Sequence, residues 1–119
     1  MGGKMKRLLL AILFVLMSVG IASGESIKLV WDPNSEPDLA GYKIYSSRTD
    51  GGPYALLADV GNVTEYEMDM AGETDGTIYY VATAYDERDN ESDYSNQADY
   101  MVDHTAPQPP GGCRIILEW

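Results

Sequence analysis

Carboxylates crowd one stretch of this chain: Asp86, Glu87, Asp89, Glu91 and Asp93, with the amide of Asn90 among them, all fall between positions 86 and 93. Hard oxygen ligands of this kind are what calcium takes. Their order is not that of an EF-hand, and the same Asp and Asn residues are ordinary turn formers, so a solvated loop is the simpler expectation and no metal is assigned. Nucleophilic catalysis of the Ser-His-Asp type needs a base. The single histidine, His104, opens a proline-rich stretch, where a solvated linker residue is expected. The sequence has no His/Cys ligand spacing and no glycine-rich phosphate loop. Its many carboxylates would allow a paired-carboxylate glycosidase by residue type, but one small domain offers no deep cleft for it. The chain is therefore expected not to be an enzyme, with no catalytic residue and no cofactor. What remains is a surface: the tyrosines Tyr45, Tyr79 and Tyr85 beside Asp86, Asp89, Asn90 and Glu91 form the candidate binding face. Asn62-Val63-Thr64 and Asn90-Glu91-Ser92 have the form of glycosylation sequons, which short tripeptides reach easily by chance.

The elements that must position these residues alternate with a period of two. Ile27, Leu29 and Trp31 point one way and Lys28, Val30 and Asp32 the other, until Pro33, Asn34 and Pro37 break the run. Further strands are expected at Tyr42 to Tyr45, Tyr54 to Val60, Thr64 to Met70, Thr77 to Tyr85 and Tyr94 to Val102. Between them lie the turns at Asp50-Gly51-Gly52-Pro53 and Gly61-Asn62 and the polar loop from Asp86 to Ser92. The nine residues Thr77 to Tyr85 are apolar or aromatic on both faces, as a central strand requires. Short strands at this spacing, with no helical stripe between them, predict an all-β antiparallel sandwich.

Before the first strand, Lys4, Lys6 and Arg7 precede an apolar run from Leu8 to Met17 and a small-residue exit from Ser18 to Gly24. That order predicts a secretory signal peptide over residues 1–24, cleaved near Glu25. An uncleaved membrane anchor would want a longer apolar run, so contact with a membrane is expected only through the uncleaved signal. The location is then extracytoplasmic, either periplasm or cell surface in a bacterium. Losing those three cations makes the net charge of −11 more negative by three. Such a surface repels nucleic acid and anionic membranes, and it suits solubility or cationic partners. With Cys113 as the only cysteine, the domain has no internal disulfide and rests on its core.

Three segments, taken in order, resemble a bacterial-type fibronectin type III domain. They are Ile27-Lys28-Leu29-Val30-Trp31-Asp32-Pro33, then Asp38-Leu39-Ala40-Gly41-Tyr42-Lys43-Ile44-Tyr45, then Ala84-Tyr85-Asp86 with Asn90-Glu91-Ser92-Asp93-Tyr94-Ser95-Asn96. The resemblance runs from about Ser26 to Val102 and implies an immunoglobulin-like β-sandwich over residues 25–103. It makes Trp31 the tryptophan of the second family strand, Tyr42 and Ile44 core residues of the third, and Ile78 to Ala84 the inward face of a central strand. Two departures go with it. Ile78 stands where the family keeps a corner tyrosine, and no segment after the leader supplies the first family strand.

Residues 104–119 read as a Pro/Gly linker followed by a short β-prone segment, Cys113 to Trp119. It echoes Ile27 to Trp31, with Trp31 and Trp119 close to one module length of about 100 residues apart, so the tail reads as the start of a second module. It is also a free strand that could pair with an open sheet edge and drive self-association. The expected function is a secreted or envelope module that binds a protein or carbohydrate, or acts as a spacer. The alternative is an accessory domain of a larger exported carbohydrate-active or other hydrolytic enzyme.

Overall fold

The structure, a computed structural model, describes the backbone of residues 13–18 and residues 26–118 in full. Among the described residues there are seven strands and no helix: β1 (Leu13–Ser18), β2 (Ser26–Trp31), β3 (Leu39–Ser47), β4 (Ala55–Gly61), β5 (Glu65–Asp69), β6 (Gly76–Asp86) and β7 (Ala98–Val102). They form two antiparallel sheets, β1-β2-β5 and β4-β3-β6-β7. The all-β antiparallel sandwich expected from the alternation is the fold observed.

Its core lies between the sheets. Ile27, Leu29 and Trp31 of β2 face Tyr42 and Ile44 of β3 and Ile78, Tyr80, Ala82 and Ala84 of β6, with Met70, Tyr100 and Val102 closing the cluster. Large and small residues alternate across the β3–β6 ladder: Tyr42 lies opposite Ala84, Ile44 opposite Ala82, and Ser46 opposite Tyr80. The alanines make room for the Trp31 and Tyr42 rings, whose centroids are 5.5 Å apart at 59°, so the layer fills without strain. The Tyr42 hydroxyl reaches out of the core and accepts the Asn34 N–H at 2.7 Å. One aromatic thus fills the interior and pins the β2–β3 loop.

Three segments depart from the sequence reading. The edge of β2 is not open: β1 covers it from Leu13 opposite Trp31 to Ser18 opposite Ser26, so the position of the first family strand is filled by residues of the expected leader. An apolar, β-prone run satisfies that edge as well as a dedicated strand would. The rest of the leader, residues 1–12 and 19–24, lies outside the described residues, as do Glu25 and Trp119.

The last strand begins at Ala98 rather than Tyr94. Glu91 to Asn96 instead lies irregularly along β6, where Ser92 Oγ accepts the Ala84 N–H at 2.9 Å and Ser95 Oγ accepts the Ala82 N–H at 2.8 Å. Serine hydroxyls compete with the backbone for exactly such donors, and here they replace two rungs of a ladder.

The tail forms no strand. Residues 103–118 adopt no helix or strand, and Ile115, Ile116 and Leu117 are exposed at 89%, 71% and 70%. Its root is nevertheless fixed, and His104 is no free linker residue. The ring Nε2–H points at the carbonyls of Met70 (3.2 Å) and Glu73 (3.1 Å), and the Asp75 carboxylate accepts both the His104 N–H (2.8 Å) and the Thr105 hydroxyl (2.6 Å). Those two bonds hold the Asp75 carboxyl below its ordinary range.

Candidate binding face

The outer face of the four-stranded sheet carries the polar and aromatic constellation. On β3, Lys43 and Tyr45 project there, and their register partners Thr83 and Val81 on β6 share that side. Glu91, which bridges to Tyr85 at the end of β6, folds its side chain over this surface. Its Oε2 accepts the Tyr45 hydroxyl and the Thr83 hydroxyl, the latter at 2.7 Å, while Oε1 lies 3.7 Å from Lys43 Nζ. Burial alone would push the Glu91 carboxyl up. The Tyr45 and Thr83 hydroxyls and the Lys43 ammonium outweigh it and hold the group below the usual carboxylate range. Burial and the neighbouring Glu91 carboxylate push the Tyr45 phenol up to about 12.

Tyrosines extend this cluster. Tyr94, from the irregular segment before β7, meets Tyr45 edge-on at 5.2 Å and Tyr54 edge-on at 5.1 Å. The Tyr54 hydroxyl is held by Gln97, whose amide nitrogen donates to Asp50 at 2.8 Å. Tyr85 lies under the Lys43 ammonium, 5.1 Å from ring centroid to Nζ, and its own hydroxyl donates to Asp59 at 2.7 Å. A shallow depression of about 440 Å³, lined by Tyr45, Thr83, Glu91, Ser92, Asp93 and Tyr94, is the result. Fixed aromatic edges around a solvent-accessible carboxylate acceptor suit recognition of a partner with both apolar and hydroxyl-bearing surfaces.

The sequence-derived residues divide accordingly. Tyr45 and Glu91 form the centre, and Tyr85 adjoins it through Lys43. Tyr79 lies opposite Ser47, further along β6 toward the other pole, and takes no part. Asp86 is 1% exposed and cannot present to a partner. Its Oδ1 accepts the N–H groups of Arg88 and Asn90, each at 2.9 Å, and its Oδ2 accepts the Asn90 side-chain amide. Asp86 and Asn90 thus build the loop, and Asp89 sits at its tip with a positive φ of 64°. Among the described residues no group of three His, Cys, Asp or Glu is disposed to hold a metal ion. Sequence reading missed Tyr54, Tyr94, Lys43 and Thr83. Only Lys43 and Thr83 were within its reach, because strand phase puts them on the face of Tyr45.

No family model matches the chain. A curated amylopullulanase of Thermoanaerobacterium thermosulfurigenes is 46% identical over 59 residues, which cover 49% of this chain; the chain spans 3% of that enzyme's length. A Fn3-like protein from Clostridium thermocellum matches 83% of this chain and 100% of its own, with a TM-score of 0.62 at 24% identity. A β-1,2-glucanase from Parabacteroides distasonis matches 84% of this chain over 13% of its own length, with a TM-score of 0.56 at 27% identity. The fibronectin type III domain of a human protein, at 14% identity, covers 84% of the chain with a TM-score of 0.56. From the two sheets, the Trp31–Tyr42 core and these likenesses, the chain has the fold of a fibronectin type III domain.

Proposed function

We propose that this chain is an exported, non-catalytic accessory module that binds or spaces for polysaccharide-acting enzymes, and that it contacts carbohydrate through the Tyr45–Tyr94–Tyr54 face. The leader is removed near Glu25 on export, which gives the module its extracytoplasmic location. The observation that carries the reading is the row of three edge-locked tyrosines around the Glu91 acceptor, a ready surface for sugar rings and hydroxyls. The names of the relatives support it, since an amylopullulanase and a glucanase both contain a domain like this one. The strongly acidic surface argues against pectin and other anionic polymers, and neutral glucans are the expected class. Affinity electrophoresis of the secreted product in gels containing soluble α- or β-glucan tests this. Retardation that Tyr94→Ala abolishes supports binding. Migration unaffected by every glucan removes the binding half of the proposal and leaves the spacer role.

A further inference from the structure

The proposed export removes a strand of the fold. Cleavage near Glu25 detaches β1 and bares the outer edge of β2 from Ser26 to Trp31, the strand that carries Ile27, Leu29 and Trp31 into the core. An open edge of this kind is a template for another strand. The chain holds a second segment of matching length and pattern. Cys113, Ile115 and Leu117 alternate with Arg114, Ile116 and Glu118, and the three apolar residues in it stand in solvent, a costly exposure unless something covers them.

Direction identifies which copy supplies it. β1 enters beside Trp31 and leaves beside Ser26. The tail departs from the opposite pole to that entry, because β7 ends with Val102 opposite Gly76, and His104 and Thr105 are tied to Met70, Glu73 and Asp75 just beyond the end of β5. To replace β1 in its own domain, the tail would have to run back along β2, roughly 20 Å at 3.3 Å per residue, and then reverse. Residues 106–112 span at most about 25 Å when fully extended, and Pro107, Pro109 and Pro110 stiffen them. That leaves no length for the reversal or for the crossing of about 10 Å between the sheets. A second copy stacked on the pole from which the tail emerges meets none of these obstacles. Its β2 edge begins at its Trp31 pole, where the tail arrives already running antiparallel.

We propose that the mature module associates head to tail, with residues 113–118 of one copy taking the place of β1 against β2 of the next. This inference rests on the leader being removed. The contact is heterologous and does not close on itself, so the expected products are open chains of copies whose length grows with concentration. Ile115 and Leu117 enter the flank of the core, and Arg114 and Glu118 stay outside.

The test uses the secreted full-chain product under reducing conditions, which keeps Cys113 from cross-linking copies. Intact mass comes first: a product that retains residues 1–24 overturns the leader reading and, with it, the vacancy. For a product that begins near Glu25, light scattering after gel filtration follows association, and hydrogen exchange follows the tail amides. Concentration-dependent oligomers with protected amides in 113–118 are expected. The double variant Ile115→Asp/Leu117→Asp should weaken association by about tenfold or more, whereas Arg114→Ala/Glu118→Ala should leave it within about threefold. Oligomers indifferent to Ile115→Asp/Leu117→Asp overturn the tail as the donor. A monomer with protected tail amides assigns the strand to its own domain and overturns exchange between copies. A monomer with freely exchanging tail amides overturns strand replacement altogether.

Discussion

Tyr45 on β3 donates its phenolic hydrogen to Glu91, 46 positions later in the chain, and so ties the third strand to the segment that crosses the end of the sixth. The bond leaves a titration signature at each end of the pH scale. Glu91 is depressed in the folded protein, so the stability it contributes is present above the unfolded carboxyl value of 4.5 and is lost as pH falls through the lower folded value. Tyr45 is raised, so its contribution is complete below 10.0 and is lost as pH rises toward about 12. Tyr45→Phe removes one of the bonds that lower the Glu91 carboxyl. The Glu91 side-chain carbon resonance, followed by NMR, should then titrate at a higher pH than in the parent. An unmoved midpoint would show that the pairing does not persist in solution.

The core assignment separates two residues that a composition count would treat alike. Trp31→Ala empties a buried aromatic site against Tyr42 and should destabilise by about 3–5 kcal/mol. Lys43→Ala loses a partly exposed ion pair to Glu91 and a contact with the Tyr85 ring, and should stay within about 1 kcal/mol. Urea melts of both variants measure the contrast. Comparable losses would mean that β2 and β3 present the wrong faces.

Gly41 is held to glycine by the approach of β4. A Cβ there would stand 2.7 Å from the Tyr85 hydroxyl and 2.9 Å from the Gly61 carbonyl carbon. The tyrosine tip can swing away, but the Gly61 backbone moves only if β3 and β4 separate near their register shift at Tyr42. Gly41→Ala should therefore cost about 1–3 kcal/mol. Adding Tyr85→Ala should not restore that loss, and full rescue in the double variant would place the constraint in the side chain instead.

Strands whose one face is core were legible because alternation reports burial directly: Ile27, Leu29 and Trp31 in β2 and Ile78, Tyr80, Ala82 and Ala84 in β6 all face inward. Three things were not. That Leu13 to Ser18 pairs as β1 was not visible, because an apolar run beside Lys4, Lys6 and Arg7 predicts a leader and carries no separate mark of strand pairing. The start of β7 was placed too early because Ser92 and Ser95 take the ladder bonds with their side chains, which alternation does not register. Glu91 and Tyr45 were named for their types. Their meeting with Tyr54 and Tyr94 depends on the path of two loops, which residue spacing leaves undetermined.

The serine rungs give the last prediction. Ser95 is almost fully buried, and its hydroxyl accepts from the Ala82 N–H while donating to the Asn96 carbonyl at 2.9 Å. The Ser95 N–H returns to the Ala82 carbonyl at 2.8 Å, so residue 95 closes both sides of one position in the central strand. Ser95→Ala keeps the backbone bond and leaves the Ala82 N–H, which points to the β7 side of β6, without its acceptor. Leaving a buried amide without its acceptor costs about 1–3 kcal/mol. Ser92 does the same for Ala84 nearer the surface, where water can stand in, so Ser92→Ala should cost less. Amide exchange distinguishes the two. In Ser95→Ala the Ala82 amide should exchange faster while Ile44 and Tyr80 on the same sheet stay protected, and in Ser92→Ala only the Ala84 amide should accelerate. Uniform acceleration across β6 in either variant would mean that the serines act on global stability alone and not as local replacements for a missing strand.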